Sequence, residues 1–424
     1  MIETRPKKAR ERALLIGLEK DGVSKWDLRD SMEELRELAN SAGAEVVDTI
    51  TQKLPKPTAP YYIGKGKAEL IKDSLQDRQV TSVIFDDELS PAQGRNLETL
   101  LASKVLDRTQ LILDIFAQRA RSREGRLQIE LAQLQYLLPR LTRMWHHLSR
   151  QTGGIGTRGP GETQLEVDRR RVQERIARLE RELESVRKTR AVQRQGRKRH
   201  QWPVAAVVGY TNAGKSTLLN LLTGADVVTE DRLFATLDPT TRSFVLPNKQ
   251  RVLLTDTVGF LRKLPHTLIE SFKATLEEVS EADLLIHIVD LSHPRVDEQM
   301  EAVDTVIKEI EAFGKQTLIV FNKIDRLKNR ELADIYAKRF PGSVAISART
   351  GEGMGHLVQA LENALSSWRL RSRFRIPANE SALIAEIHRV GHVLEVRYEG
   401  DDALIVAHVP PHLEQKLARY AARD

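Results

Sequence analysis

The first 118 residues alternate between short apolar runs and segments in which apolar residues recur every three or four positions. Short runs predict strands, and the recurring positions predict amphipathic helices. We expect strands at Ala13–Leu18, Ala44–Ile50, Val80–Phe85 and Lys104–Leu106, and helices at 27–40, Lys67–Leu75 and Pro91–Leu101. Alternation of strands and helices is typical of a partly parallel sheet covered by helices. Residues 1–118 are therefore predicted to form an α/β domain.

A different pattern follows, in which apolar residues keep heptad spacing over two long stretches. The two seams are Leu127, Leu131, Leu134, Leu138, Leu141, Trp145 and Leu148, and then Val172, Ile176, Leu179, Leu183 and Val186. Such seams pack against each other. We predict an antiparallel helical hairpin over residues 119–200, kinked at Pro139 and closed by a tip loop of residues 149–164.

Apolar runs return after residue 201. Those at Val204–Val208, Val252–Thr255, Leu284–Leu291, Thr317–Phe321 and Val344–Ile346 predict buried strands. With helical segments between them, residues 201–369 are expected to form a parallel sheet with helices on both faces. Residues 370–424 predict a small α+β domain with strands at Leu383–His388, Val393–Tyr398 and Leu404–His408 and a helix at Pro411–Tyr420.

Charge is concentrated in the hairpin. The chain of 424 residues has a net charge of +7, yet residues 119–200 hold 21 Lys or Arg against 9 Asp or Glu. A basic segment of this kind is typical of a nucleic-acid contact. There is no cysteine, the first 20 residues contain no signal-peptide pattern, and no apolar run approaches the ~20 residues that span a bilayer. We therefore expect a cytoplasmic protein without a membrane span.

The segment Gly209–Thr217 reads G-x-x-x-x-G-K-S-T between an apolar run and a leucine-rich helix. In this setting the sequence predicts a phosphate-binding loop. Its backbone N–H groups surround the β-phosphate, Lys215 reaches the β- and γ-phosphates, and the Ser216 hydroxyl ligates Mg²⁺. The predicted nucleotide-contacting residues of the loop are Gly209, Tyr210, Thr211, Asn212, Ala213, Gly214, Lys215, Ser216 and Thr217.

Three further motifs follow predicted strands. Asp256-Thr257-Val258-Gly259 places a carboxylate for the metal and an N–H group for the γ-phosphate. In Asn322-Lys323-Ile324-Asp325, the Asp325 carboxylate can accept from both N1–H and N2–H₂ of guanine, a donor pair that adenine lacks. The N–H groups of Ser347 and Ala348 are expected to cover guanine O6. Arg349, the next residue, is also predicted to contact the nucleotide. Together these motifs predict a domain that binds GTP and GDP with Mg²⁺.

The tip loop contains five glycines between Gln151 and Thr163, with Arg150 and Arg169–Arg171 on its flanks. A glycine-dense loop on a stiff hairpin suits close approach to RNA phosphates and unstacked bases. The predicted RNA-contacting residues are Arg150, Gly153, Gly154, Ile155, Gly156, Arg158, Gly159 and Gly161. A solvated linker is the alternative. The turn Gly64–Lys67 could bind an anion, although a basic turn with a helix start is the favoured explanation.

The tip-loop segment Gly153–Glu166, the phosphate loop with Tyr210-Thr211-Asn212, the segment Phe234–Thr240 and Asp256–Phe260 resemble the HflX family of translational GTPases. The resemblance runs from about residue 10 to 370. It implies a Ras-like GTPase domain and docking of the N-terminal region and hairpin on the large (50S) ribosomal subunit, with the tip loop near its 23S-type rRNA. It also implies that the GTP form splits or rescues stalled or idle ribosomes.

By the same resemblance, Thr236 is the switch threonine that joins Ser216 and Asp256 at Mg²⁺. The ordered switch segment would then be Phe234, Ala235, Thr236, Leu237 and Asp238. Lys215, Thr236 and Gly259 are the predicted catalytic residues. Phe260 stands where Ras-like enzymes carry a water-orienting glutamine, so we expect hydrolysis to be slow with the protein alone and faster with ribosomes. We also expect a monomer.

Other classes remain open at this point. A tRNA-modifying GTPase would have a C-terminal cysteine, and a KH-bearing ribosome-assembly GTPase would have a G-x-x-G loop after the GTPase domain. Neither feature is present in residues 370–424. An RNA-remodelling, helicase-like NTPase fits the basic hairpin, and a non-hydrolysing RNA-binding switch fits Phe260.

Overall fold

The computed structural model describes the chain except for residues 1–10, 23, 142–159, 201, 225–232, 235, 264, 266–275, 367–369 and 423–424. It divides into two compact units. The first comprises Met1–Ser185 with two short pieces, 232–234 and 263–272, and the second comprises the rest. Among the described residues, no helix is long and apolar enough to cross a bilayer.

The first unit is built on a four-stranded sheet. Its strands are β1 (Arg12–Glu19), β2 (Glu45–Lys53), β3 (Ser82–Phe85) and β4 (Lys104–Asp107), in the order β2-β1-β3-β4. Every pairing is parallel, so the predicted sheet is correct and wholly rather than partly parallel. Strand order reverses between β1 and β3, and such a reversal opens a crevice at the carboxyl ends of the strands.

Four helices connect these strands: α1 (Lys25–Ser41), α2 (Lys65–Asp77), α3 (Pro91–Leu101) and α4 (Arg108–Arg119). Ser24 and Ser90 form capping boxes that fix the starts of α1 and α3. Gly64 precedes α2 with its N–H donating to Gln52 Oε1 (2.9 Å), which supports the simple helix-start interpretation of Gly64–Lys67. The sequence did not predict α4, because its buried residues leave little polar face to mark a helical period.

The hairpin consists of α5 (Arg123–Leu141) and α6 (Pro160–His200). Leu127 and Leu131 pack with Leu179 and Leu183, as the heptad seams predict. Arg175 pairs with Glu130 at 2.7 Å and Arg123 with Glu182 at 3.9 Å, which sets the two helices antiparallel.

The predicted bounds of the tip loop are partly wrong. Residues 160–164, including Gly161, belong to α6, because Pro160 suits the first turn of a helix. The rest of the tip loop and the predicted extension of α5 to Leu148 lie outside the described residues. The same holds for Arg150, Gly153, Gly154, Ile155, Gly156, Arg158 and Gly159.

The second unit contains a six-stranded sheet in the order β10-β9-β8-β5-β7-β6. Its strands are β5 (Val204–Gly209), β6 (Thr240–Val245), β7 (Arg251–Asp256), β8 (Leu284–Asp290), β9 (Thr317–Asn322) and β10 (Val344–Ala345). All neighbours are parallel except the β6–β7 pair. The helices are α7 (Lys215–Thr223), α8 (Val296–Glu309), α9 (Glu331–Arg339) and α10 (Met354–Ala364), and residues 276–280 are also helical. This confirms the predicted fold class.

The C-terminal part corrects one prediction. It contains β11 (Leu370–Pro377), α11 (Ser381–Val390), β12 (His392–Glu399), β13 (Asp402–Val409) and α12 (Pro411–Lys416), with the antiparallel order β11-β13-β12. The predicted strand Leu383–His388 is wrong, since these residues lie in α11. Ile387 is buried in the C-terminal core, and Leu383, Ile384 and Val390 pack against the same core. These residues are three or four positions from Ile387, which is the spacing of one helix face.

Candidate nucleotide site

The phosphate loop joins the end of β5 to the start of α7. Gly209 has φ 151° and Gly214 has φ 99°, values that favour glycine. A Cβ atom at Gly209 would collide with the Ile288 carbonyl, and one at Gly214 with the Asn322 side chain. Glycine thus leaves room for the close contacts at both positions, and α7 begins directly after the loop at Lys215. This geometry suits a bound phosphate.

Lys215 is folded into the loop. Its ammonium donates to the carbonyl oxygens of Gly209 (3.1 Å) and Tyr210 (2.7 Å). Burial lowers the pKa of Lys215 to about 8, although the nearby Asp256 carboxylate opposes this shift. A buried cation that donates to carbonyl oxygens gains strongly when a phosphate enters beside it.

Three oxygen-bearing side chains meet beside α7. Ser216 Oγ lies 2.7 Å from Thr236 Oγ1 and donates to Asp256 Oδ2 at 2.7 Å. Burial raises the pKa of Asp256 above its ordinary value, partly offset by Lys215. Asp256 Oδ1 is buried and has no hydrogen-bond partner among the described residues. Two hydroxyls and a carboxylate with a spare oxygen form a hard donor set that fits Mg²⁺.

The Asp256–Gly259 segment is bound tightly to the phosphate loop. Thr257 Oγ1 donates to the Val207 carbonyl at 2.7 Å, which ties the segment to β5. A Cβ atom at Gly259 would lie 2.8 Å from Thr211 Cα and 2.9 Å from Lys215 Nζ. Gly259 thus lies directly against the lysine that is predicted to contact the γ-phosphate.

The third predicted motif links two loops. Asn322 Nδ2 donates to the Ala213 carbonyl (2.8 Å), and its Oδ1 accepts from the Ala348 N–H (2.9 Å). Ser347 Oγ donates to Asp325 Oδ1 at 2.7 Å, which orients that carboxylate. Because the N–H groups of Ser347 and Ala348 are bonded to Glu352 and Asn322, their contact with guanine O6 stays a prediction.

The structure brings the four motifs to one edge of the sheet. Of the remaining predicted residues, Phe234, Leu237 and Val258 are buried. Thr217, Asp238 and Ile324 are half-buried, and Arg349 is exposed. Ala235 lies outside the described residues. The buried Tyr210 accepts from the Arg262 N–H through its hydroxyl (2.9 Å).

Sequence reasoning missed two residues here. Asp290 pairs with Lys323 at 2.7 Å, and its position at the carboxyl end of a buried strand could have indicated it. His287 is buried in the middle of β8, and nothing in its apolar surroundings marks it in the sequence. Burial and the charge of Lys215 lower its pKa to about 4.

A six-stranded sheet with these four loops at its carboxyl edge defines a P-loop GTPase that binds GTP and GDP. Family models described as "GTP-binding GTPase N-terminal", "GTP-binding GTPase Middle Region" and "50S ribosome-binding GTPase" match residues 29–117, 119–197 and 204–323. The chain belongs to the HflX family of GTPases, as the sequence motifs predict.

Relatives named "GTPase HflX" match over most of their length. The protein from Caldanaerobacter subterraneus subsp. tengcongensis is 46% identical, with 97% of this chain and 94% of the relative covered. That from Escherichia coli K12 is 47% identical, with 89% of each chain covered. A GTP-binding protein from Sulfolobus solfataricus, solved in complex with GDP, is 26% identical with a TM-score of 0.45, covering 84% of this chain and 99% of its own.

Proposed function

We propose that this GTPase binds the large ribosomal subunit and splits or rescues stalled or idle ribosomes, with the bound nucleotide setting its affinity for them. The observation that carries the proposal is the meeting of Ser216, Thr236 and Asp256 beside Lys215 and Gly259. Thr236 comes from one loop and Gly259 from another, and both are proposed to contact the γ-phosphate. A site assembled in this way binds GTP and GDP differently.

Each residue has a defined task in the proposed reaction. Lys215 and the loop N–H groups hold the β- and γ-phosphates, and Asp325 selects guanine. Ser216, Thr236 and Asp256 would hold Mg²⁺, which neutralises charge that develops on the phosphate oxygens. Gly259 offers its N–H group to the γ-phosphate. Burial of Lys215 and Asp256 excludes water from their charges and strengthens these interactions.

Slow unaided hydrolysis follows from Phe260. Its side chain is 1% exposed and has no polar atom, so it can neither reach nor orient an attacking water. Acceleration would then come from a group that a partner supplies, as it does in other GTPases that need activators. We infer that ribosomes supply it.

Binding to ribosomal RNA is supported by the charge of residues 119–200 and by a stiff pair of helices. Arg169, Arg170, Arg178 and Arg181 project from the exposed surface of α6, where phosphates could reach them. The description of the family model that matches residues 204–323 is consistent with a ribosomal partner. We propose that the protein acts as a monomer in the cytoplasm.

The test is GTP turnover by the purified protein alone and with 30S subunits, 50S subunits or 70S ribosomes. A Ser216→Ala variant, which lacks one proposed Mg²⁺ ligand, is the matched control. Sucrose gradients of 70S mixtures with a non-hydrolysable GTP analogue measure splitting.

The proposal predicts stimulation by 50S and 70S but not by 30S, and loss of the 70S peak only with the GTP analogue. Equal turnover in all mixtures and an unchanged 70S peak would overturn it. Unwinding of a labelled RNA duplex under those conditions would favour the RNA-remodelling alternative.

A further inference from the structure

A group of alternating charges lies at the carboxyl edge of the first sheet, where strand order reverses between β1 and β3. Asp86 and Asp87 directly follow β3, and Lys20 directly follows β1. Asp86 is 1% exposed, accepts from the Ser31 hydroxyl (2.7 Å) and is bound by the buried Arg108 (2.7 Å). Lys20 binds Asp87 at 2.7 Å. The crevice where α/β sheets usually take a ligand is thus lined by carboxylates.

The ammonium of Lys263 occupies this crevice. Lys263 Nζ lies 2.5 Å from Asp86 Oδ2 and 3.0 Å from Asp87 Oδ1. In sequence Lys263 belongs to the segment that follows Gly259 and Phe260, yet it is part of the first compact unit. It lies three positions after Phe260, whose backbone N–H and carbonyl are bonded to Gly209 and Thr211.

Charge balance makes this contact strong. The ion pairs of the cluster join three carboxylates, those of Glu34, Asp86 and Asp87, to three cations, those of Lys20, Arg108 and Lys263. Burial alone would raise the pKa of Asp86, but the charges of Arg108 and Lys263 hold it well below its ordinary range. Removing Lys263 would leave these three carboxylates with only two cations, Lys20 and Arg108, and an excess of buried negative charge is costly.

The backbone at Lys263 supports a constrained role. Lys263 has φ 54°, a left-handed conformation that is unfavourable for a non-glycine residue. Such a conformation persists where surrounding contacts enforce it. The ion pairs with Asp86 and Asp87 are contacts of that kind.

The segment that precedes Thr236 is held in a similar way, by a contact between two aromatic rings. Phe234, two residues before Thr236, is 2% exposed and packs edge-on against Phe116 of α4, with ring centroids 4.5 Å apart. It also has a left-handed backbone, with φ 56°. Thr236 therefore lies two positions from a buried ring contact, and Gly259 lies four positions from the Lys263 ion pairs.

We propose that Lys263 is a positioning residue, whose ion pairs with Asp86 and Asp87 hold the Gly259–Lys263 segment in the arrangement that accepts a γ-phosphate. In the described structure Thr236 already bonds Ser216, and Gly259 already lies against Lys215. The anchored state therefore has the Thr236 and Gly259 contacts that the proposed function assigns to the GTP-bound arrangement. This inference rests on the proposed sensing roles of Thr236 and Gly259. By linkage, GTP strengthens the Lys263 contact as much as the contact favours GTP.

The test compares dissociation constants for GDP and a non-hydrolysable GTP analogue, measured with the full-length protein. Lys263→Met should weaken binding of the analogue about tenfold and leave that of GDP within about twofold, since a coupling free energy of this size is common between two sites. Lys263→Arg keeps the charge and should restore most of the preference. Lys338→Met, which removes an exposed lysine of α9, is the matched control and should change neither constant.

Asp87→Asn supplies a second variant that spares the buried Asp86. It should weaken analogue binding less than Lys263→Met, and the double variant should equal Lys263→Met alone, because both changes break one interaction. The proposal would be overturned if Lys263→Met left the ratio of the two dissociation constants unchanged. Equal losses for GDP and analogue would mean a merely structural role, and no loss for either would mean that the contact does not affect the site.

Thr236→Ala separates this proposal from the proposed function. If Thr236→Ala weakens analogue binding but Lys263→Met does not, the sensing role stands and the positioning role of Lys263 fails. If Thr236→Ala itself leaves the ratio unchanged, both fail together.

Discussion

The backbone N–H of Thr211 donates a 2.8 Å hydrogen bond to the carbonyl oxygen of Phe260. The Phe260 N–H donates in turn to the Gly209 carbonyl at 3.1 Å. The phosphate loop and the segment after Gly259 are therefore held together through backbone atoms, and the Phe260 side chain is directed into the protein interior. Its contribution is to packing and not to the reaction.

Replacing Phe260 with glutamine should not create a faster GTPase. The amide would replace a 1% exposed ring and would have to be buried, at a cost of about 3 kcal/mol in the free energy of unfolding. We expect unaided GTP turnover to stay within about twofold or to fall, measured alongside urea unfolding. Phe313→Gln, at a phenylalanine that is 74% exposed, is the control and should leave stability nearly unchanged. A marked rise in unaided turnover would contradict this reading of Phe260.

Asn322 should stabilise the folded protein even when no nucleotide is bound. Asn322→Ala leaves the Ala213 carbonyl and the Ala348 N–H without their side-chain partner, so unfolding free energy should fall by about 3 kcal/mol even without nucleotide. Asn379→Ala, at an exposed asparagine, should cost less than about 0.5 kcal/mol. Chemical denaturation of both nucleotide-free variants measures the difference. Equal stabilities would show that the Asn322 bonds contribute little.

Asp325 should decide which base is bound. Asp325→Asn replaces an acceptor of guanine N2–H₂ with an amide that can donate to the O2 of xanthine. We expect affinity for GTP to fall at least ~100-fold and affinity for xanthosine triphosphate to rise, because unpaired buried polar groups are heavily penalised. Competition against a fluorescent nucleotide measures both constants. Asp334→Asn, on exposed α9, should leave the preference for GTP intact. An Asp325→Asn protein that still prefers GTP would refute the assignment.

His287 should make the protein sensitive to acid. Its folded-state pKa is about 4 against an ordinary 6.5, so the unfolded chain binds the extra proton first as pH falls. The stability that depends on the neutral ring is complete above pH 6.5 and is lost between pH 6.5 and 4. The loss approaches about 3 kcal/mol over that interval.

The measurement is unfolding free energy as a function of pH. His287→Gln should lose less stability than the parent between pH 6.5 and 4.5, whatever its stability at neutral pH. His356→Gln, at an exposed histidine of α10, should keep the pH profile of the parent. Identical slopes for His287→Gln and the parent would show that His287 does not control the acid response.

The nucleotide site was predictable because its chemistry is local. The glycines at 209 and 214, Lys215 and Ser216 lie within eight consecutive positions, and Asp256 and Asp325 each follow an apolar strand. Parallel strands bring their carboxyl ends to one edge, so strand-end motifs converge without further information. The hairpin was predictable for a similar reason, because the heptad period specifies both the helices and the faces that pack.

Other features depend on contacts between residues that are far apart in the chain. Leu383–His388 is apolar enough for a strand, and only packing of Ile387 against the C-terminal sheet makes it a helix. Helix α4 carries little polar periodicity because both of its sides are buried. His287 acquires its low pKa from burial beside Lys215, which no local pattern reports.

Local sequence thus determined the nucleotide, the reaction and most of the secondary structure, since each depends on residue types at short spacing. Tertiary structure alone decided that Lys263 meets Asp86, 177 positions away in the chain, and that Phe234 meets Phe116. Charge pairing and ring packing at that separation leave no period in the sequence. They become visible only when the folded chain brings the residues into contact.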